Sequence, residues 1–117
     1  MDVTIYHNPG CGTSRNTLQY LRDQGLTPKI IEYLKSPPDR ATLKSLLKKM
    51  NMTPGELLRR KGEVYDSLKL DRPGVTDDQI LDAMLANPIL IERPIVVTTA
   101  GAKLCRPWEK VKELVPG

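Results

Sequence analysis

The alternation of apolar and polar residues near the start of the chain predicts a strand, a helix and a second strand. Residues 3–6 alternate and predict an opening strand. A helix is predicted from about residues 11–14 to residue 24, with Gly25 as its stop. Residues 29–34 are rich in β-branched side chains and predict the second strand. The helix between them is long enough for a parallel crossover.

The middle of the chain predicts only helices. Asp39 can cap a helix whose apolar residues recur every three or four positions. Capping boxes begin at Thr53 and Thr76, each with Glu or Gln three residues later. The first box predicts a short helix ending in residues 59–61, and the second predicts a longer helix. The apolar positions of the three helices are Leu43, Leu46, Leu47, Met50, Leu57, Leu58, Ile80, Leu81, Met84 and Leu85.

Two more strands and a helix complete the pattern. Residues 95–97 predict a buried strand, and Gly101 marks a turn into a short strand near residues 103–105. Pro107 then opens a final helix. This order predicts an α/β fold with a mixed β-sheet flanked by helices, and a helical insertion at approximately residues 39–87.

Composition and charge narrow the class of protein. The 117 residues are the length of a single domain, 1–117, and 39% apolar with 27% charged residues is typical of a globular chain. A net charge of +4 mildly favours anionic partners, but no basic block indicates nucleic-acid binding. No segment is apolar enough to span a membrane. No secretory signal is present, and two cysteines are too few for a disulfide framework, so a cytoplasmic location is expected.

Cys11 stands where the first predicted strand meets the first predicted helix. A helix N-terminus presents free N–H groups and the positive end of a dipole, so a thiol there loses its proton more easily. The same N–H groups can hold an oxyanion, with Gly10 and Gly12 allowing close approach and Arg15 adding charge. The pattern favours a reactive Cys11, although a cysteine can also be a small packing residue.

Ser14 and His7 bear on this chemistry. Ser14 stands where a C-x-x-C motif has its second cysteine, so Cys11 would need an outside thiol to regenerate it. His7, the only histidine, lies four residues before Cys11; it either tunes the thiolate or is satisfied by local backbone. One histidine and two cysteines without a C-x-x-C pair disfavour a metal site, and none is predicted.

Three arginines lie at the ends of predicted elements. Arg59 closes a short helix, and Arg106 lies at a strand-to-helix junction. Arg93 precedes Pro94, and that peptide bond can be cis or trans from the sequence alone. Taken singly, each arginine is most often a solvated surface residue or a helix C-terminal charge. Nothing in the residues themselves shows that the three converge on the cysteine.

Four blocks of the sequence carry a family resemblance over nearly the whole chain. They are residues 5–18 (IYHNPGCGTSRNTL), 76–79 (TDDQ), 88–97 (PILIERPIVV) and 104–107 (LCRP). Their order and spacing resemble the glutaredoxin-coupled arsenate reductase (ArsC-type) family. The resemblance implies a thioredoxin/glutaredoxin-like fold with a helical insertion, in agreement with the predicted order. It also places Pro94 at the cis-proline position of that fold.

The resemblance implies an arsenate reductase of the oxidoreductase class with Cys11 as its nucleophile. The residues implied to bind the arsenate oxyanion are Arg59, Arg93 and Arg106. Those implied to tune the thiolate or shape the anion loop are His7, Ser14 and Arg15. Arg60 and Lys61 follow Arg59 directly.

The implied reaction needs an external reductant. Cys11 attacks As(V), glutathione then attacks the arsenic, and glutaredoxin removes the glutathione, leaving arsenite. Glutathione is thus a co-substrate and glutaredoxin a partner, with no bound cofactor. Cys105 is not needed and is interpreted as a packed small residue. A monomer is the default expectation.

Three alternatives remain open at this point. A general glutathione-dependent thiol reductase of the same fold would share Cys11 but would not need three anion-binding arginines. An Spx-like redox regulator that binds RNA polymerase typically uses a C-x-x-C switch, which Ser14 disfavours. A helical interaction module would leave a basic middle helix solvated, with no role for Lys44, Lys48 and Lys49.

Overall fold

Four strands and five α-helices form along the chain, and the computed structural model describes all residues from 1 to 117. The strands are β1 (Thr4–His7), β2 (Lys29–Glu32), β3 (Ile95–Thr98) and β4 (Gly101–Leu104). The α-helices are α1 (Gly12–Asp23), α2 (Arg40–Met50), α3 (Pro54–Leu57), α4 (Glu63–Leu68) and α5 (Asp77–Ala86). Two 3-10 helices span Pro88–Leu90 and Trp108–Glu113. None of the helices has both the length and the apolar character needed to cross a membrane.

The strands form one mixed sheet in the order β2-β1-β3-β4. β1 runs parallel to β2, with Ile5 opposite Ile30, and antiparallel to β3, with Ile5 opposite Val96. β3 and β4 form an antiparallel hairpin. The α/β class and the mixed sheet predicted from the sequence are confirmed.

Contacts between residues divide the chain into two compact units. Unit 1 consists of Met1–Ser36 and Arg93–Gly117 and contains the whole sheet, α1 and the second 3-10 helix. Unit 2 is Pro37–Glu92 and contains the other helices. The predicted insertion at residues 39–87 falls within unit 2, and the single domain over the whole chain stays a prediction.

The core of unit 1 packs on one face of the sheet. Its buried members are Val3, Ile5, Leu18, Leu21, Val96, Cys105, Val111, Leu114 and Val115. α1 contributes leucines three residues apart, as an amphipathic helix does. The C-terminal segment is also tied to α1, because the Tyr20 hydroxyl donates to the Val115 carbonyl oxygen at 2.6 Å. This packing holds α1 and the C-terminal segment against the sheet.

Unit 2 is organised by the helix caps that the sequence predicts. The Asp39 carboxylate accepts from the Thr42 N–H at 2.8 Å at the start of α2. Both capping boxes form, with Thr53 opening α3 and Thr76 opening α5. These caps satisfy N–H groups that a helix leaves unpaired at its first turn. The strongest local signals in the middle of the chain are therefore confirmed.

The predicted end of α3 is wrong. The helix stops at Leu57, and Arg59 lies beyond it. Leu58 is extended and pairs with Ile91 in an isolated antiparallel bridge. The Arg59 N–H then donates to the Leu90 carbonyl oxygen at 2.7 Å. This bridge to a distant segment competes with helical hydrogen bonding and ends α3 early.

Four other elements differ from prediction. Helix α4 is not predicted, because none of its residues is buried and no apolar period marks it. The last strand begins at Gly101 and ends before Cys105, and β2 ends at Glu32. The final helix is a 3-10 helix, in which the Lys110 N–H donates to the Pro107 carbonyl oxygen three residues back.

Candidate active site

Cys11 is the N-cap residue of α1, and its thiol is half-buried. Burial raises the pKa of this thiol. The backbone N–H of Ser14, a hydrogen bond from Arg106 and the backbone N–H of Thr13 lower it, and the net pKa lies below the ordinary value for cysteine. The helix start therefore favours the thiolate, in the direction that the sequence predicts.

The Arg106 guanidinium contacts the Cys11 thiol directly. Its Nη1 donates to Cys11 Sγ at 3.6 Å and to the Arg93 carbonyl oxygen at 3.0 Å. The carbonyl anchors the guanidinium, so the positive charge is held beside the sulfur. Arg93 itself is buried at 4% exposure, and its peptide bond to Pro94 is cis, as the resemblance implies. The backbone at the start of β3 thus positions Arg106.

His7 contacts Ser14 beneath the loop. His7 Nδ1 and Ser14 Oγ share a buried hydrogen bond of 2.6 Å. Burial lowers the pKa of the His7 imidazole, opposed by Glu32 and assisted by Arg22 and Arg15. The lowered pKa favours the neutral imidazole at pH 7. This hydrogen bond joins the end of β1 to the first turn of α1 through the Ser14 side chain.

The loop between β1 and α1 is held by three more hydrogen bonds. The Cys11 N–H donates to the Asn8 carbonyl oxygen at 3.0 Å, and the Gly10 N–H donates to Asn8 Oδ1 at 2.9 Å. Arg15 Nη1 donates to the Pro9 carbonyl oxygen at 2.9 Å. Arg15 therefore braces the loop from the exposed side, as well as adding positive charge near the helix start.

Arg59, the remaining arginine implied to bind the anion, belongs to unit 2. Its Nη1 donates to Glu92 Oε1 at 3.0 Å, and the side chains are 26% and 22% exposed. This ion pair joins residues on the two strands of the bridge between Leu58 and Ile91. Arg59 is thus a partly buried, paired arginine in unit 2, and not the helix-end charge that the sequence predicts.

A family model described as the ArsC family matches residues 6–114, which is nearly the whole chain. The chain belongs to the ArsC family. This ArsC chain is 49% identical over 116 residues to an arsenate reductase of Rhizobium meliloti (strain 1021), covering 99% of this chain and 83% of the relative. It is 51% identical over 115 residues to an arsenate reductase of Escherichia coli (strain K12), covering 98% of this chain and 82% of the relative.

Among solved structures, this ArsC chain is similar to an arsenate reductase from Vibrio cholerae. The TM-score is 0.90 at 42% identity, with 97% of each chain covered. The thioredoxin-like α/β fold that the resemblance implies is thereby confirmed.

The second cysteine of this ArsC chain has a different environment from the first. Cys105 is 0% exposed, and its thiol donates only to the Lys103 carbonyl oxygen at 3.7 Å. Burial raises the pKa of Cys105 to about 12. It packs in the core of unit 1, in agreement with its interpretation as a small packing residue. No three His, Cys, Asp or Glu side chains of the chain cluster as a metal site would require.

Two side-chain contacts are not predicted from the sequence. In the first, Asn8 Oδ1 accepts from the Gly10 N–H, although an Asn before a Pro-Gly pair is a local signal for such a bond. In the second, Glu92 pairs with Arg59 across 33 positions of the sequence. No local signal in the sequence indicates that second contact.

Proposed function

We propose that this ArsC chain is an arsenate reductase. The observation that carries the proposal is the Arg106 guanidinium on the Cys11 thiol at the start of α1. A thiolate and an arsenate anion repel each other, so their reaction needs positive charge and N–H donors at the point where they meet. The first turn of α1 and Arg106 supply both. The similarity to arsenate reductases over nearly the whole chain supports the same activity.

Arsenate is a tetrahedral oxyanion, and arginine forks recognise such oxygens bidentately. We assign Arg106, Arg93 and Arg59 to its binding. The support for Arg106 is its contact with the thiol. The support for Arg93 is that its backbone carbonyl anchors Arg106 within the same unit. Arg59 is assigned on the family resemblance alone. His7, Ser14 and Arg15 are assigned to holding the loop and the helix start.

The proposed reaction begins at the sulfur. The Cys11 thiolate attacks arsenic, forms an S–As bond and displaces hydroxide, which leaves as water after protonation. Glutathione then attacks the arsenic and displaces a second oxygen as water. A glutaredoxin thiolate attacks the glutathione sulfur, so that the As–S bond breaks and its electron pair reduces As(V) to As(III). Hydrolysis of the remaining S–As bond releases arsenite and returns the Cys11 thiol.

The external reductant follows from the cysteines. Ser14 leaves no neighbouring thiol in a C-x-x-C arrangement, and the only other cysteine is buried with a raised pKa. We therefore propose glutathione as co-substrate and glutaredoxin as partner, with no bound cofactor. A monomer in the cytoplasm completes the proposal.

The test is arsenate-dependent NADPH oxidation in the presence of glutathione, glutaredoxin and glutathione reductase. Wild type and Cys105→Ser are expected to consume one NADPH for each arsenate reduced, and Cys11→Ser none. Cys105→Ser is the matched control, because it removes the other thiol of the chain. Turnover retained by Cys11→Ser would overturn the assignment of Cys11 as the nucleophile. If the wild type showed no arsenate-dependent NADPH oxidation but still reduced a glutathione mixed disulfide, the proposed activity would change from arsenate reductase to thiol reductase. If both assays were silent, binding to RNA polymerase would be tested for the regulator.

A further inference from the structure

The hydrogen bonds of the loop from His7 to Cys11 centre on Asn8. Asn8 is 9% exposed and uses three of its groups for local hydrogen bonds. Its N–H donates to Ser14 Oγ at 3.1 Å, and its carbonyl oxygen accepts from the Cys11 N–H at 3.0 Å. Its Oδ1 accepts from the Gly10 N–H at 2.9 Å. Asn8 therefore bonds both sides of the reactive cysteine.

We infer that Asn8 is a positioning residue for the Cys11 thiolate. Its side chain closes a turn over Pro9 and Gly10, the two residues that lead into the cysteine. Glycine is the residue with the most backbone freedom, so without this bond the chain entering Cys11 would sample many conformations. The turn instead delivers Cys11 to the N-cap position with its sulfur against the first N–H groups of α1.

The fit between Asn8 and Gly10 is close. A Cβ added at Gly10 would lie 3.3 Å from Asn8 Oδ1, tighter than an ordinary contact. The small residue and the side-chain oxygen are therefore matched to each other. The second anchor of the loop, the Asn8 N–H on Ser14 Oγ, couples this turn to the side chain that also bonds His7. The loop, the helix start and the end of β1 are thus joined through Asn8.

The inference deepens the proposed function, since the first step of that reaction uses a thiolate held at this place. It concerns the thiol itself, however, and can be measured without arsenate. If Asn8 positions Cys11, removing Oδ1 weakens the N–H contacts that favour the thiolate, and the alkylation of Cys11 slows at a pH below the thiol pKa. A residue that merely stabilised the fold would leave the pH dependence of alkylation unchanged.

The experiment compares Asn8→Ala with Asn8→Ser in a background of Cys105→Ser, so that only Cys11 reacts. The probe is iodoacetamide, and its rate is measured from pH 5 to 9. Serine keeps a side-chain oxygen that can accept from an N–H two residues on, whereas alanine does not. We expect Asn8→Ala to react about three- to tenfold more slowly at pH values below the thiol pKa, as the loss of one hydrogen bond predicts. Asn8→Ser is expected within about twofold of the parent, since it keeps that bond.

Asn16→Ala is the control, because it makes the same change at an exposed position on α1. A profile for Asn8→Ala that matches the parent would overturn the inference, as would equal slowing in Asn8→Ser. If Asn8→Ala does not fold, Asn8→Thr and Asn8→Val provide a second pair of equal shape that differs in the same oxygen. Absence of arsenate turnover in the wild type would remove the proposed function and leave this result standing.

Discussion

Arg106 and Cys11 are 95 positions apart in the sequence, and a single guanidinium nitrogen of Arg106 contacts the Cys11 sulfur. That same nitrogen also donates to a backbone carbonyl, so the side chain is held before any substrate arrives. A charge placed in this way stabilises the thiolate at rest and can stabilise an oxyanion bonded to the sulfur during reaction. In the proposed reaction, Arg106 would therefore act on the thiol as well as on the substrate.

Replacing Arg106 is therefore expected to change the thiol as well as the turnover. Arg106→Ala removes a contact that lowers the Cys11 pKa, so the pKa rises and alkylation at pH 6 slows. Loss of a hydrogen bond to a charged group is expected to reduce kcat/KM for arsenate by about 10- to 100-fold. Arg106→Lys keeps the positive charge but not the forked guanidinium, so its kcat/KM should lie between those of the wild type and Arg106→Ala. Arg22→Ala, at an exposed site on α1, removes a charge without touching the thiol and serves as control. An unchanged pH profile in Arg106→Ala would contradict the assignment.

The two cysteines are expected to differ sharply in reactivity. Cys11 is half-buried with a lowered pKa, and Cys105 is fully buried with a pKa of about 12. Titration with Ellman's reagent at pH 8 should detect one thiol in the native protein and two in guanidinium chloride. In Cys11→Ser, the native signal should vanish. Rapid reaction of both thiols without denaturant would show that the core around Cys105 opens readily.

The elements that the sequence predicts are those with local signals. Thr53 and Thr76 open helices because the cap and its partner lie three residues apart. The lowered pKa of Cys11 follows in the same way from its place at the start of α1. The two departures at Arg59 and Cys105 are of another kind, since α3 stops before Arg59 and β4 stops before Cys105. A bridge to Ile91 fixes the first stop, and no local pattern reveals a partner so far along the chain.

The arginine contacts show the same division within the candidate site. Residue types and spacing indicate a cysteine placed where a helix start can hold an oxyanion. Only the resemblance indicates which arginines would bind that oxyanion. The contact between Arg106 and Cys11 depends on the pairing of β1 with β3 and of β3 with β4. Pairing of this kind is set by the packing of the whole sheet. Asn8 is the opposite case, because its partner Gly10 lies only two residues away and an Asn before Pro-Gly is itself a local signal for this bond.

The ion pair between Arg59 and Glu92 is expected to stabilise the fold modestly. Both side chains are about one quarter exposed, so solvent screens the pair. A double-mutant cycle with Arg59→Ala and Glu92→Ala should give a coupling of about 0.5–1 kcal/mol in the free energy of unfolding. If Arg59 also binds arsenate, Arg59→Ala should raise KM, while Glu92→Gln leaves the guanidinium in place and raises KM less. Equal KM values in the two variants would remove Arg59 from the anion site.

His7 is expected to make stability depend on pH in a defined window. Burial lowers its pKa, so below about pH 6.5, its ordinary value, the unfolded chain binds a proton that the folded chain does not. The contribution of His7 to the free energy of unfolding must then fall as the pH drops through this window until the folded pKa is reached. His7 is the only histidine, so no other histidine obscures the effect. Urea unfolding followed by the single tryptophan, Trp108, from pH 5.5 to 7.5 measures it.

The matched variant is His7→Gln, which cannot titrate but can still hydrogen-bond Ser14. It should lose the slope that His7 contributes below about pH 6.5. The lowered pKa of Asp39 acts below its ordinary value of 3.8 and does not enter this range. A wild-type curve that is flat, or that rises on acidification, would mean that His7 is protonated in the fold. In that case His7 would carry a positive charge near the start of α1, and its effect on the Cys11 thiolate would be electrostatic.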